Sequence, residues 1–139
     1  MKSLVILAFF AAVTLAAAPE APPFVVIVNA ANAATLTRDD VANIFMKRMT
    51  RWPGGGAIVV VDALPDSPVR EEFSRAVLHR GITAMEAYWQ QQIFSGRDVP
   101  PVQKETDAGV VAFVRRNRGG IGYVAAGTPL DGVRAVSWR

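Results

Sequence analysis

Three short runs of β-branched and aromatic residues constrain this chain more than any other feature: Phe24 to Asn29, Ala57 to Asp62 and Ile121 to Val124. The first lies between Pro23 and the Asn29-Ala30-Ala31-Asn32 run and the second follows the Gly54 to Gly56 turn, the pattern of buried strands, while the third follows Gly119-Gly120 and reads as a closing strand. Between them lie segments whose apolar residues recur at helical spacing. Thr37 supplies an N-cap oxygen, Asp39 and Asp40 fill a first turn, and Val41, Ile44 and Phe45 form a stripe, which predicts a helix ending near Arg48. Ser67-Pro68 opens another, with Val69, Phe73, Ala76 and Val77 inward, reaching about His79. Thr83 and Glu86 have capping-box spacing for a third helix carrying Tyr88 and Trp89, one of which packs while the other is partly exposed. Val102-Gln103 reads as a brief strand, and Thr106 or Asp107 caps a last helix with Val110, Val111, Phe113 and Val114 mainly in the core. Gly119-Gly120 ends it, and Val133 to Val136 closes the series. Strands alternating with helices predict an α/β domain whose central sheet is mainly parallel and flanked by helices.

Ahead of that domain, Lys2 precedes an uninterrupted apolar run from Leu4 to Val13, closed by small residues. This is the pattern of a secretory signal peptide, too short for a spanning helix. The expected organisation is a signal over 1–18, an Ala/Pro linker over 19–23 and the α/β domain over 24–139, with cleavage between Ala16 and Ala21. The expected location is periplasmic or secreted, with no transmembrane segment after cleavage.

Among 139 residues there is no Cys and one His, His79, which excludes disulfides, thiolate chemistry and Cys-ligated metals. Neither a G-x-S-x-G elbow, an HExxH helix, a P-loop nor a dinucleotide-type glycine turn is present. The reading is therefore a protein without enzymatic activity, metal or cofactor. A net charge of +3 is concentrated at Lys47, Arg48 and Arg51 and at Arg115, Arg116 and Arg118. Both clusters fall where helices end and cations are favoured, and no nucleic-acid motif accompanies them. Trp52 beside the Gly54 to Gly56 turn reads as a lid on the core, and His79 as a helix-terminal residue.

Leu36-Thr37 before Val41-Ala42-Asn43-Ile44-Phe45, then Arg51-Trp52, a glycine turn, a valine strand and the later Gly119-Gly120-Ile121-Gly122-Tyr123-Val124, together resemble the periplasmic phosphate-binding proteins of ABC transporters. Tyr88-Trp89, Phe94-Ser95-Gly96 and Pro100-Pro101 resemble a short, single-lobe branch of that family. The resemblance implies one lobe of a type II periplasmic-binding-protein-like (PBP-like) fold, where the full-length family closes two lobes on the anion. It places the phosphate-binding turn at Ala63 to Arg70, where Ser67 alone matches the family's R-S-D-G-S-G-T-T ligand types and Pro68 removes a backbone donor.

The candidate oxyanion contacts are Ser67, Val69 and Arg70 at this helix start, with Thr37 at the other. Against them stand plain structural roles: Ser67 and Thr37 as caps, and Arg70 paired at the surface with Asp66, Glu71 or Glu72. Two functions follow. One is an exported solute-binding-like protein that takes phosphate or a related oxyanion near Ser67 in ABC-type phosphate uptake, a homodimer supplying the second wall. The other is an envelope protein-interaction module that keeps the fold and binds no phosphate.

Overall fold

A computed structural model describes residues 12–17 and 22–139, so most of the expected signal segment and linker lies outside the described residues. Among the described residues no helix is long and apolar enough to cross a membrane.

The strand run Phe24–Asn29 forms β1, and Thr35–Leu36 a short β2. Helix α1 (Arg38–Phe45) follows, then β3 (Val59–Ala63), α2 (Pro68–Phe73), α3 (Ile82–Phe94), β4 (Val102–Lys104), α4 (Asp107–Arg116), β5 (Gly120–Ala125), β6 (Val133–Ala135) and β7 (Ser137–Trp138). The main sheet has the order β4-β3-β5-β1-β6, and β2 pairs with β7 beside it. Neighbours β4, β3 and β5 are parallel. Strand β1 lies antiparallel between β5 and β6, so four of the five strands run in one direction. The mainly parallel α/β sheet is thus observed, with the first strand of the chain as the one that runs against it.

Each face of this sheet carries a core. On one, α1, α2 and α3 contribute Val41, Ile44, Phe45, Phe73, Met85 and Trp89 against Val26, Val28, Ile121 and Tyr123. On the other, Val110, Val111 and Val114 of α4 cover Ile27, Val61, Val124 and Val133. Alternation along β1 and β5 feeds both cores, which is why these strands read as continuous apolar runs. The Gly119-Gly120-Ile121-Gly122 sequence serves close packing here. A Cβ on Gly119 would lie 2.1 Å from the Ala57 carbonyl oxygen, and one on Gly122 would lie 2.7 Å from Val61 and 2.8 Å from Val110. Trp52 is buried and donates from Nε1 to the Gly119 carbonyl at 3.2 Å, the lid its position beside the glycine turn suggested.

The structure corrects two helix ends. Helix α1 stops at Phe45, short of Arg48, because Lys47 turns into the left-handed region at φ 54°. Thr83 does not cap α3; that helix starts at Ile82 behind Gly81, whose carbonyl accepts from the Met85 N–H at 3.1 Å, leaving Thr83 inside the first turn. Trp89 packs and Tyr88 is half-buried, donating to the Met46 carbonyl at 2.9 Å. Thr106, not Asp107, caps α4, accepting from the Gly109 N–H.

Candidate functional site

Strand β3 delivers the chain to Ala63, a turn follows in which the Ser67 N–H donates to the Leu64 carbonyl, and α2 begins at Pro68. This is the carboxyl end of a parallel strand feeding a helix N-terminus, the edge of an open α/β sheet where ligands are generally held. Ser67, Val69 and Arg70 belong to this single turn.

Ser67 has extended backbone (φ −73°, ψ 127°) at the N-cap position, yet its side chain makes no capping hydrogen bond. The backbone does the work instead: the Arg70 and Glu71 N–H groups both donate to the Ser67 carbonyl, at 3.1 and 3.3 Å. The plain-cap role therefore does not account for its hydroxyl. Val69 is buried against the core, so what it offers a ligand is its backbone amide, Pro68 having none.

Arg70 departs from expectation. It does not pair with Asp66, Glu71 or Glu72 at the surface; Arg75 takes Glu71 and Glu72. Arg70 instead folds inward, 4% exposed, donating from Nη1 to the Ala63 carbonyl at 2.8 Å and placing Nη2 3.6 Å from Asp62 Oδ2. Asp62 in turn accepts from the Ala63 N–H at 2.9 Å and from the Tyr123 hydroxyl. The Tyr123 ring is fixed by a near-parallel stack on Phe73 at 3.9 Å between centroids. Burial raises the Asp62 carboxyl above the ordinary carboxylate range, outweighing the pull of Arg70, Tyr123 and the Ala63 amide. The Tyr123 phenol is pushed up as well, first by burial and then by the neighbouring carboxylate.

Sequence reasoning missed this Asp62–Arg70–Tyr123 group. A signal was present: Asp62 ends a run of valines, and a carboxylate at the end of a buried strand needs a partner.

Thr37 opens α1, a different helix, and its hydroxyl is already used. It accepts from the Asp40 N–H at 3.0 Å while Asp40 accepts from the Thr37 N–H at 2.8 Å, a reciprocal capping box. Those hydrogen bonds hold the Asp40 carboxyl below its ordinary range. Among the described residues no hydrogen bond joins Thr37 to the Ser67 turn. A separate open cleft of about 760 Å³ lies between the Ala31 to Thr35 loop and the Trp52 to Gly55 turn, with Arg118 and Arg139 on its rim, and none of the four predicted contacts lines it.

The structure resembles solved proteins in fold. An ABC-type phosphate transport receptor from Vibrio cholerae matches with a TM-score of 0.59 at 19% identity, over 84% of this chain and 46% of that one. A putative phosphate ABC transporter substrate-binding protein with bound phosphate from Clostridium perfringens matches at 0.64 and 22%, over 84% and 44%. PstS from Borrelia burgdorferi matches at 0.65 and 15%, over 84% and 47%. This chain thus spans less than half the length of each. No curated protein matches it closely enough to count as a relative. The sequence profile of the PBP superfamily domain matches residues 21–137, nearly the whole of the α/β domain described above, and the chain belongs to that family.

Proposed function

We propose that the protein is an exported, single-lobe solute-binding module that takes phosphate or a related oxyanion at the Ser67 turn, in service of ABC-type phosphate uptake. The observation that carries this reading is the Ser67 hydroxyl, left without a capping role at the carboxyl edge of β3 beside the Val69 amide. Fold likeness to phosphate-binding receptors supports it. Two features make the binding weak. A single lobe leaves the anion hydrated, so each charge-assisted bond competes with water. Asp66, Glu71 and Glu72 also surround the turn with negative charge.

Isothermal titration of the mature chain with phosphate at low salt tests the reading. Saturable binding is expected, weakened about tenfold by Ser67→Ala, the loss of one hydrogen bond to a charged group, and unchanged by Thr37→Ala. Equal affinity in the Ser67 variant, or no heat at all, sinks it.

The second reading, an envelope interaction module that does not bind phosphate, is favoured by the inward turn of Arg70 and by the apolar surface at Ile93, Phe94, Val99 and Val102, of which Phe94 is 92% exposed. On that reading phosphate gives no heat, and the mature chain captures a specific envelope protein in a manner that Phe94→Ser abolishes.

A further inference from the structure

The donors around Asp62 form a set. The Arg70 guanidinium, the Tyr123 hydroxyl and the Ala63 N–H all converge on one carboxylate, and every one of these residues is buried. One cation with two neutral donors, held rigid before any ligand arrives, is how proteins hold oxyanions. The rigidity is visible: Tyr123 is stacked on Phe73 and flanked by Phe45 at 5.6 Å, and Arg70 is oriented by the Ala63 carbonyl. Lys104, opposite Ala63 on β4, does not join the set; its ammonium lies 5.7 Å above the Phe113 ring.

The contact between Asp62 and Arg70 is itself loose. At 3.6 Å it exceeds the ~2.7–2.9 Å of a charge-assisted hydrogen bond, and among the described residues Nη2 makes no hydrogen bond. The Arg70 side chain is 5% exposed, so this nitrogen has little access to solvent and faces the Asp62 carboxylate. A committed structural ion pair of Arg with a carboxylate is typically bidentate. Here the best Arg70 bond goes to a carbonyl, and the charged end is held by attraction across a gap.

We infer that Asp62 is a resident anion: its carboxylate occupies an oxyanion cradle formed by Arg70, Tyr123 and the Ala63 amide, and competes with any external oxyanion arriving at the Ser67 turn. This deepens the phosphate reading and rests on it for where the ligand enters. Arg70 then contributes fully to an external tetrahedral anion only when the Asp62 charge is removed, which sets the native affinity low by construction.

The test is titration of inorganic phosphate, with sulfate in parallel, into the native chain, Asp62→Asn and Asp62→Ala at one ionic strength, each variant checked for a cooperative melt. Asn keeps the volume and removes the charge; Ala also vacates the space. At least a tenfold gain in phosphate affinity in a folded Asp62 variant is expected, lost again when Arg70→Gln is added. Folded variants that bind no tighter than the native chain overturn the inference. If the native chain binds, Ser67→Ala weakens it about tenfold and the Asp62 variants are unchanged, the phosphate reading stands and this inference falls. If the Asp62 variants bind and the native chain does not, the inference stands and native phosphate binding falls. Silence in all folded forms removes both. Should neither variant fold, carbon NMR of the native Asp62 carboxyl decides: a shift on adding phosphate supports displacement from Arg70, and an unmoved resonance at high phosphate refutes it.

Discussion

At the scale of single residues, the site turns on Asp62, and its titration gives a signed expectation. Burial raises the folded carboxyl above the ordinary 3.8, so the native state holds that proton more tightly than the unfolded chain does. The stability Asp62 contributes is then full below the ordinary carboxylate range and is lost as pH rises through its folded value. Asp62→Asn, neutral at every pH, lacks this loss. The native chain is therefore expected to fall in stability relative to Asp62→Asn as pH rises from about 3.8 upward, by at most ~1.4 kcal/mol per pH unit, read as the gap between their urea midpoints. A gap that moves the other way would show that Arg70 outweighs burial. The sequence shows that a carboxylate at the end of a valine run needs a partner, but not which residue supplies it. Asp62 reads as the end of a strand and Arg70 as a first-turn surface cation, since Asp66, Glu71 and Glu72 lie close to it in the chain. What decides its direction is the register of β3 against β5, which brings Tyr123 beside Asp62 and makes an inward guanidinium worth its desolvation.

At the scale of elements, the two helix starts separate a structural hydroxyl from a free one. Thr37 closes a capping box on α1; Ser67 occupies the same formal position on α2 and bonds nothing there. Thr37→Ala should cost about 1 kcal/mol, the ordinary value for losing a cap. It should also move the Asp40 carboxyl part of the way toward its ordinary range, since alanine keeps the backbone N–H that lowers it most and removes only the hydroxyl. Asp40, held low by Thr37, contributes stability present above that range and lost as pH falls, so the Thr37 variant should show a smaller loss on acidification. Ser67→Ala should leave the urea midpoint within ~0.5 kcal/mol of native. A destabilisation equal to that of Thr37→Ala would return Ser67 to a capping role and remove the observation behind the oxyanion reading. The sequence made the existence of these elements readable because apolar period and caps coincide at β1, α1, β3, α2 and α4. It misled where local signals competed: the Thr83 to Glu86 spacing mimicked a cap two residues too late, because Gly81 had already opened α3. The chain continues α2 as a π-helical turn over Ser74–Leu78, ended by His79 at φ 54°; buried Val69, Phe73 and Val77 recur every four residues across both segments, so the spacing reads as one helix.

At the scale of the whole molecule, the two cores are separate clusters that share one sheet, and this decides how the lobe unfolds. Val26 and Val28 of β1 face the α1–α2 core while Ile27 faces α4; in β5, Ile121 and Tyr123 face the first and Val124 the second. Neither face can melt while the shared strands remain in register, because a strand stripped of one cover exposes apolar residues that alternate along it. The insertion of β1 between β5 and β6 strengthens this coupling, since the first strand of the domain is bonded to segments from its last quarter. That placement could not be read locally: the run Phe24 to Asn29 shows a buried strand but carries no mark of its direction. The expectation is a single cooperative transition, with far-UV dichroism and the fluorescence of Trp52 and Trp89 coincident in urea. Phe73→Ala, which removes the ring packed on Phe24, Phe45 and Tyr123, should lower stability by about 3–5 kcal/mol. Its effect should reach Val110 to Val114 on the opposite face, where amide exchange of α4 should quicken by the same free energy if the lobe opens as one unit. Protection of α4 that survives Phe73→Ala would mean the faces open independently. The carboxyl end of β3, which lies at their junction, would then owe the rigidity of its Asp62 cradle to the α1–α2 core alone.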